Sequence, residues 1–484
     1  MNAAMRPLAV RARPIGSLAP VAATGALVVG IALGERRPWA GGLVVVGIAG
    51  FATAWFVRGR RRVTLALVAA VVLGTGLGAR AAGARVWPVA GWPPSPVVLE
   101  GIVDDEPRGH PFATSIVIAA ARIDGRPLRR TVAVRASGRE SLRLRVVRLG
   151  DRVTVRGTLT SLDPADRVAL AAGAAATLEE AEIVAFEPAR APHLLVGDRL
   201  RSRIERGASA LPAADRALLL GFLLGDTNDV DAETRDAFRA AGLTHLLAVS
   251  GANVAFVLAL AGPALRRLSM GGRAALGTAV VVVFAAATRF EPSVMRASAL
   301  TLVVMLARLA GRELAPARAL AFAVFALLVY EPQLLHSVGF RLSVAATAGI
   351  VVGSRRIAAR LAGPTAVRDA LAVTIAAELA VAPMLVVEFG SVPAVAPVAN
   401  LLAVPAAEPL TIYGLVATVV ADGLPPRLAD ALLWPCQVML GWVRVVARTA
   451  EQVPLELDAR GLAFAVVLVG LVLVGRRRTA GTLR

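Results

Sequence analysis

The sequence predicts a mainly α, polytopic helical membrane protein with a small extracytoplasmic OB-like β-barrel insert. Three observations predict it. Of 484 residues, 56% are hydrophobic and 18% are charged, against about 45–50% and about 25% in soluble domains. The mean hydropathy is +0.66, and the apolar residues gather in blocks of roughly 15–25 between arginine-rich gaps. One region, 93–190, breaks that pattern with short, polar, alternating segments. These features exclude an ordinary soluble enzyme and a disordered chain.

The N-terminal region, 1–92, carries three apolar blocks: Val21–Gly34, Gly41–Val57 and Val63–Ala84. Arg6, Arg11 and Arg13 precede the first, as in a signal peptide. Further apolar blocks follow at once, which predicts a retained first helix. Arg58, Arg60, Arg61 and Arg62 separate the second block from the third. The positive-inside rule assigns that turn to the cytoplasm, so the region after the third block lies outside.

Trp92-Pro93-Pro94-Ser95-Pro96 is a stiff linker into the polar region. Strands are expected at Val97–Val103, Ser115–Ile123, Thr131–Arg135, Leu142–Arg148 and Arg152–Leu159, with Asp124-Gly125 as a hairpin turn. Five short strands in about 90 residues suit a small OB-type barrel. Arg122–Arg156 holds eleven arginines against three acids, an excess of eight positive charges. Arg129, Arg130, Arg152 and Arg156 are the candidate phosphate contacts. The same run has no Phe, Tyr or Trp for base stacking, and an arginine-rich face also suits anionic lipid.

The region 191–484 opens with a mixed-charge helix, His193–Gly207, expected in the membrane surface or in water. Nine apolar spans follow: Leu243–Leu260, Ala274–Ala287, Val294–Leu309, Ala319–Tyr330, Leu334–Val352, Ala370–Val387, Val395–Val420, Ala431–Val446 and Gly461–Val474. Starting outside, nine crossings place the arginine clusters at 266–273, 308–318, 355–360 and 476–478 inside. Several spans fall short of the roughly 20 residues of a full crossing. The overall charge is +19, from 53 basic and 34 acidic residues, and the chain has no lysine.

The densest polar constellation runs from Leu218 to Val254. Asp226, Asn228, Asp229, Asp231 and Glu233 miss the spacing of an EF-hand loop and read as acids loading the start of a helix. His245, Ser250 and Asn253 follow inside an apolar span, and Ser250-Gly251 is a candidate break. Arg296, Arg341, Ser343, Glu378 and Asn400 stand in later spans, where isolated charge is costly. Arg296 and Glu378 are expected to pair or to line a hydrated path. Pro383, Pro393, Pro397, Pro405 and Pro409 are expected to interrupt helices. Polar groups of this kind also serve as interhelical glue. Ser250 and His245 lack a Gly-x-Ser-x-Gly elbow and an orienting acid, so a serine hydrolase is disfavoured. The four histidines (His110, His193, His245, His336) and the single Cys436 show no zinc-ligand spacing. No metal, cofactor or intrachain disulfide is expected.

Gly242-Leu243-Thr244-His245-Leu246-Leu247-Ala248-Val249-Ser250-Gly251 resembles a signature of the ComEC-type competence proteins. Ser293-Val294-Met295-Arg296-Ala297, Gly339-Phe340-Arg341-Leu342-Ser343 and Asn400-Leu401-Leu402-Ala403-Val404-Pro405 follow in the same order as in that family. Ala252-Asn253-Val254 stands where the family usually has Leu-His-Val, and Arg341 where it often has Gln. The resemblance implies a channel-type component of the bacterial inner membrane that passes single-stranded DNA into the cytoplasm. His245, Ser250, Gly251, Asn253, Arg296, Arg341, Ser343, Glu378 and Asn400 are its candidate functional residues. It implies contact with membrane lipid, and as partners a DNA receptor, a separate nuclease, a cytoplasmic helicase or a second copy of the chain. Longer members end in a metallo-β-lactamase-like domain; this sequence, ending at Arg484, reads as a short form without it and as a non-enzyme. A small-molecule or lipid transporter and a non-catalytic scaffold are the alternatives.

Overall fold

The computed structural model describes residues 19–36, 38–56, 60–85, 96–110, 113–163, 166, 169–170, 172–453, 455–458 and 461. Three helices come first: α1 (Ala19–Glu35), α2 (Leu43–Phe56) and α3 (Arg60–Arg85). They match the three N-terminal apolar blocks. The Thr24 hydroxyl of α1 donates to the Ala321 carbonyl at 2.9 Å, which ties this group to the later helices.

Five strands follow: β1 (Val97–His110), β2 (Ala113–Ile123), β3 (Arg126–Ser137), β4 (Arg152–Ser161) and β5 (Ala176–Glu187). They close into a barrel in the order β1-β2-β3-β5-β4. All neighbours are antiparallel except β3 and β5. The β2–β3 turn places Asp124 and Gly125 at positive φ (46° and 74°), as a two-residue hairpin demands. Val97, Leu99, Ile116, Ile118, Val132, Val134, Val153, Val155 and Leu178 fill the interior. Every second strand residue points there.

The strand expected at Leu142–Arg148 is instead a helix and turn: α4 (Gly138–Leu144) is followed by a turn at 145–146. Leu144 and Val147, three apart, enter the barrel core, while Leu142 is 55% exposed. That is helical spacing. The fifth strand is β5, which the sequence reading did not assign.

The helices after the barrel are α5 (Pro192–Ala208), α6 (Ala213–Leu224), α7 (Ala232–Ala240), α8 (Thr244–Leu247), α9 (Gly251–Leu260), α10 (Gly262–Arg266), α11 (Met270–Ala287), α12 (Pro292–Leu309), α13 (Pro316–Tyr330), α14 (Val338–Ala358), α15 (Thr365–Phe389), α16 (Ala396–Ala421) and α17 (Pro426–Glu451). A short pair, β6 (Val392–Pro393) and β7 (Glu456–Leu457), joins the two ends of the last helical pair. The helix expected at His193–Gly207 is present as α5. It packs against α11 and α16 through Gly197, Ile204 and Ala208.

Five of the described helices are long and apolar enough to cross a membrane: α3, α11, α12, α15 and α16. α1, α2, α9 and α13 are shorter apolar helices. The span expected at Leu243–Leu260 is divided. α8 ends at Leu247, Ala248 and Ser250 are extended, and α9 restarts at Gly251. Ser250-Gly251 is therefore the break the sequence suggested. Pro383, Pro405 and Pro409 do not interrupt their helices: α15 and α16 run on through them. Proline is tolerated in such helices because neighbours re-satisfy the freed backbone groups. Pro397 sits in the first turn of α16, where its missing N–H costs nothing. The Arg58–Arg62 turn, apart from the α3 backbone from Arg60, lies outside the described residues, as does 462–484 with the expected last span and Arg476–Arg478.

Successive helices α11 to α15 are joined by short connections and pack on one another, as antiparallel neighbours do. The arginine clusters at 266–273, 308–318 and 355–360 therefore share one end of the bundle. The other end carries the turns 288–291 and 331–337, which meet the barrel side. Arg289 pairs with Asp198 of α5, and Gln333 packs on Gly173 of the barrel region.

Candidate functional site

The polar Leu218–Val254 segment has two separate jobs. Asp231 caps α7: its carboxylate accepts the Thr234 N–H at 2.7 Å and the Thr234 hydroxyl at 2.9 Å. Burial alone would raise the Asp231 pKa; the Thr234 hydrogen bonds outweigh it and hold the pKa below the usual value. Glu233 sits in the first turn of α7, as the helix dipole favours. Asp226, Asn228 and Asp229 are struts. Asp226 accepts the buried Arg201 of α5 at 2.7 Å, Asn228 donates to the Pro107 carbonyl of β1 at 3.2 Å, and Asp229 pairs with Arg145 at 3.0 Å. This loop fastens the barrel and α5 to the bundle. Among the described residues, no group of His, Cys, Asp and Glu could hold a metal.

The break between α8 and α9 positions the second part. The Ser250 hydroxyl donates to Asn253 Oδ1 at 2.9 Å, and Asn253 Nδ2 donates to the Phe222 carbonyl of α6 at 3.3 Å. Asn253 is 5% exposed. Gly251 lets α12 approach the start of α9: an added Cβ would lie 2.7 Å from Arg296 Nη2 and 3.2 Å from the Ala297 Cβ. His245 is not part of this group. It is exposed, and its Nδ1 lies 3.2 Å from the Gly242 carbonyl. Among the described residues no hydrogen bond joins Ser250 and His245.

Arg296 is 7% exposed and donates from Nε to Ser343 Oγ of α14 at 2.7 Å. Among the described residues it has no carboxylate partner within 4 Å. The sequence reading had Arg296 and Glu378 either pairing or lining a path; they do not pair with each other. Glu378 of α15 accepts Asn400 Nδ2 of α16 at 2.8 Å. Arg341 of α14 pairs with Glu388 of α15. Asn400 Oδ1 and Arg341 Nε are buried without a hydrogen-bond partner.

These contacts share one topology. α9 touches α12, α12 touches α14, α14 touches α15, α15 touches α16, and α16 returns to α9. A polar residue stands at each junction: Gly251–Arg296, Arg296–Ser343, Arg341–Glu388 and Glu378–Asn400. At the fifth, Asn253 and Thr411 line one internal cavity of about 10 Å³, about the space of a single water. The sequence marked seven of these residues singly as candidates; Thr411 and Glu388 in their ring roles follow only from packing. Each link is an interhelical contact of the kind that also serves as glue, and together the links follow one closed circuit of helices.

The model of a family described as "Competence protein" matches residues 222–478, which contain the whole ring and more than half of the chain. The chain belongs to the competence protein family. A stretch of 148 residues is 28% identical to ComE operon protein 3 of Bacillus subtilis (strain 168). It covers 30% of this chain and 19% of that protein, so the chain spans about a fifth of the length of the curated relative it matches. No solved structure gives a significant match. This competence-family chain, with five helices fit to cross a membrane, is a multi-pass membrane protein.

The four barrel arginines singled out in the sequence are not one cluster. Arg152 and Arg156 lie on β4, directly opposite Glu187 and Glu182 of β5, so cross-strand acids offset their charge. Arg129 is exposed on β3, and Arg130 is half-buried beside it. A more concentrated basic surface, which the sequence reading missed, lies where the barrel meets α5. Its sequence signal was the spacing of Arg199, Arg203 and Arg206, which shares one helical face.

Proposed function

We propose that this chain is the inner-membrane component of DNA uptake that passes single-stranded DNA into the cytoplasm. The observation that carries the reading is the closed circuit of polar links through α9, α12, α14, α15 and α16. A strand of phosphates needs a hydrated path with cationic groups at membrane depth, and polar residues at that depth face protein interiors or wet cavities. Arg296, with no carboxylate partner among the described residues, supplies a cation, and Arg341, paired with Glu388, supplies further guanidinium donors. Asn400 Oδ1 and Arg341 Nε, buried and unpartnered, are groups that water or a passing strand would satisfy.

In this reading 1–92 are membrane helices, 93–190 an OB-like domain outside the membrane, and 191–484 the polytopic channel region. The bundle end rich in arginine is cytoplasmic, which leaves the barrel end outside. Transfer, not bond cleavage, is the activity. A DNA receptor, a nuclease, a helicase or a second copy of the chain would act beside it.

The test is photo-crosslinking during uptake. A photoreactive residue at Thr347, one turn along α14 from Ser343 and not itself a ring residue, should capture labelled DNA in transit. The same residue at Val438, on the outer face of α17 and 52% exposed, should not. Absence of capture at Thr347 in cells that take up DNA normally would refute the path.

A further inference from the structure

The barrel and α5 enclose a cleft of about 680 Å³, within the range of roughly 300–1,000 Å³ common to ligand sites. One wall is α5, whose Arg199, Ser202, Arg203 and Arg206 fall at i, i+3, i+4 and i+7 and so share a face. The opposite face of α5, through Gly197, Arg201, Ile204 and Ala208, is buried in the bundle. The other wall is the barrel, with Arg148, Val146 and Phe186. Phe186 is 51% exposed and Val146 is 68% exposed.

The charge in this cleft is strongly biased. Two acids line it, and both are engaged. Asp151 accepts the backbone N–H groups of Arg148 and Ala189, each at 2.8 Å. Asp198 pairs with Arg289. Arg206 is held by a two-pronged contact to Asp422 at 2.8 and 2.9 Å, and Arg203 reaches the same carboxylate at 3.5 Å. Both side chains nonetheless remain about 60% exposed. They are therefore fixed in place with donors still open to a ligand. Guanidinium groups match phosphate geometry, and an exposed aromatic ring offers a stacking face to any base.

We propose that this cleft holds single-stranded DNA, with phosphates along Arg199, Arg203 and Arg206 and a base against Phe186. The proposal rests on the DNA-uptake reading and gives it an entry site. The aromatic ring opposite an arginine row favours a nucleic acid over a lipid headgroup, which needs the cations but not a stacking face. The reading also supplies the aromatic that the arginine run at 122–156 lacks.

The test uses the full chain in detergent micelles and a fluorescent oligothymidylate, titrated at two salt concentrations. Phe186→Ala should weaken binding by roughly 5- to 150-fold, the span of one stacked base, and Phe186→Tyr should restore it. Arg199→Ala should weaken binding and flatten the salt slope by about 0.7. If the wild-type chain binds DNA and neither Phe186→Ala nor Arg199→Ala changes it, the cleft proposal falls while the uptake reading stands. If the wild-type chain fails to bind at low salt, the uptake reading itself falls. If the variants lose binding to phosphatidylglycerol vesicles but keep DNA binding, the cleft is a lipid site and the proposal is overturned.

Discussion

Replacing Asn253 by leucine separates a functional break from simple helix packing. Leucine keeps the same branching of side-chain heavy atoms but removes two hydrogen bonds, from Ser250 Oγ at 2.9 Å and to the Phe222 carbonyl at 3.3 Å. Hydrogen bonds inside a membrane average about 0.6 kcal/mol and reach about 1.7 kcal/mol, so the loss is about 1–3 kcal/mol. Folded domains are stable by about 5–15 kcal/mol. Asn253→Leu should therefore still insert and accumulate. Ser250→Leu removes only one of the two bonds and should be milder in stability. Both variants should nonetheless abolish uptake, because one strips a polar group from the ring and the other removes the Ser250 hydroxyl that orients Asn253. The assay counts nuclease-protected labelled DNA per cell, normalised to the amount of chain in the membrane. Uptake that persists in both variants at normal abundance would return Ser250 and Asn253 to the role of packing glue.

Three further outcomes follow from the same geometry. Arg296→Met removes a buried cation that costs about 2.5–3.5 kcal/mol at membrane depth; the variant should be as heat-stable as the wild type or more so, yet take up no DNA, and normal uptake would exclude Arg296 from the path. In a Cys436→Ser background, a cysteine at Val184 of the barrel should react with an impermeant thiol reagent in intact cells, and one at Ala359 in the arginine-rich turn only after permeabilisation; the reverse pattern would invert the topology. Asp231→Ala should cost about 1 kcal/mol as a lost helix cap, whereas Asp231→Asn should cost less. Because the folded Asp231 pKa is held below its ordinary value near 3.9, its contribution is full above that value and fades as pH falls through the lowered one. The gap in melting temperature between wild type and Asp231→Ala should thus close in acid, and a gap that widens there would refute the cap.

Apolar block length and arginine placement made the helices legible, and alternation made most of the barrel legible. Leu142–Arg148 misled because Leu-Arg-Leu-Arg alternates like a strand, while its buried residues, Leu144 and Val147, obey a helical step. β5 escaped because Ala176–Glu187 is rich in alanine and glutamate, which disfavour strands in isolation; its position between β3 and β4 overrides that preference. Ser250-Gly251 betrayed the helix break, since a serine hydroxyl competes for backbone hydrogen bonds and glycine has low helix propensity. The ring was not legible. Arg296 and Ser343 are 47 positions apart, and only packing shows that they meet while Arg296 and Glu378 do not. The cleft was split between two regions read separately, with Phe186 in the barrel and Arg199, Arg203 and Arg206 on α5.

The central claim is that DNA reaches the cytoplasm through this chain. It is tested most directly by feeding labelled DNA to cells with the chain deleted and scoring surface-bound and nuclease-protected label separately. The account predicts normal surface binding with no protected label, and recovery of protected label when the wild-type chain is restored but not when Asn253→Leu is supplied. Protected label at wild-type levels in the deletion strain would contradict it.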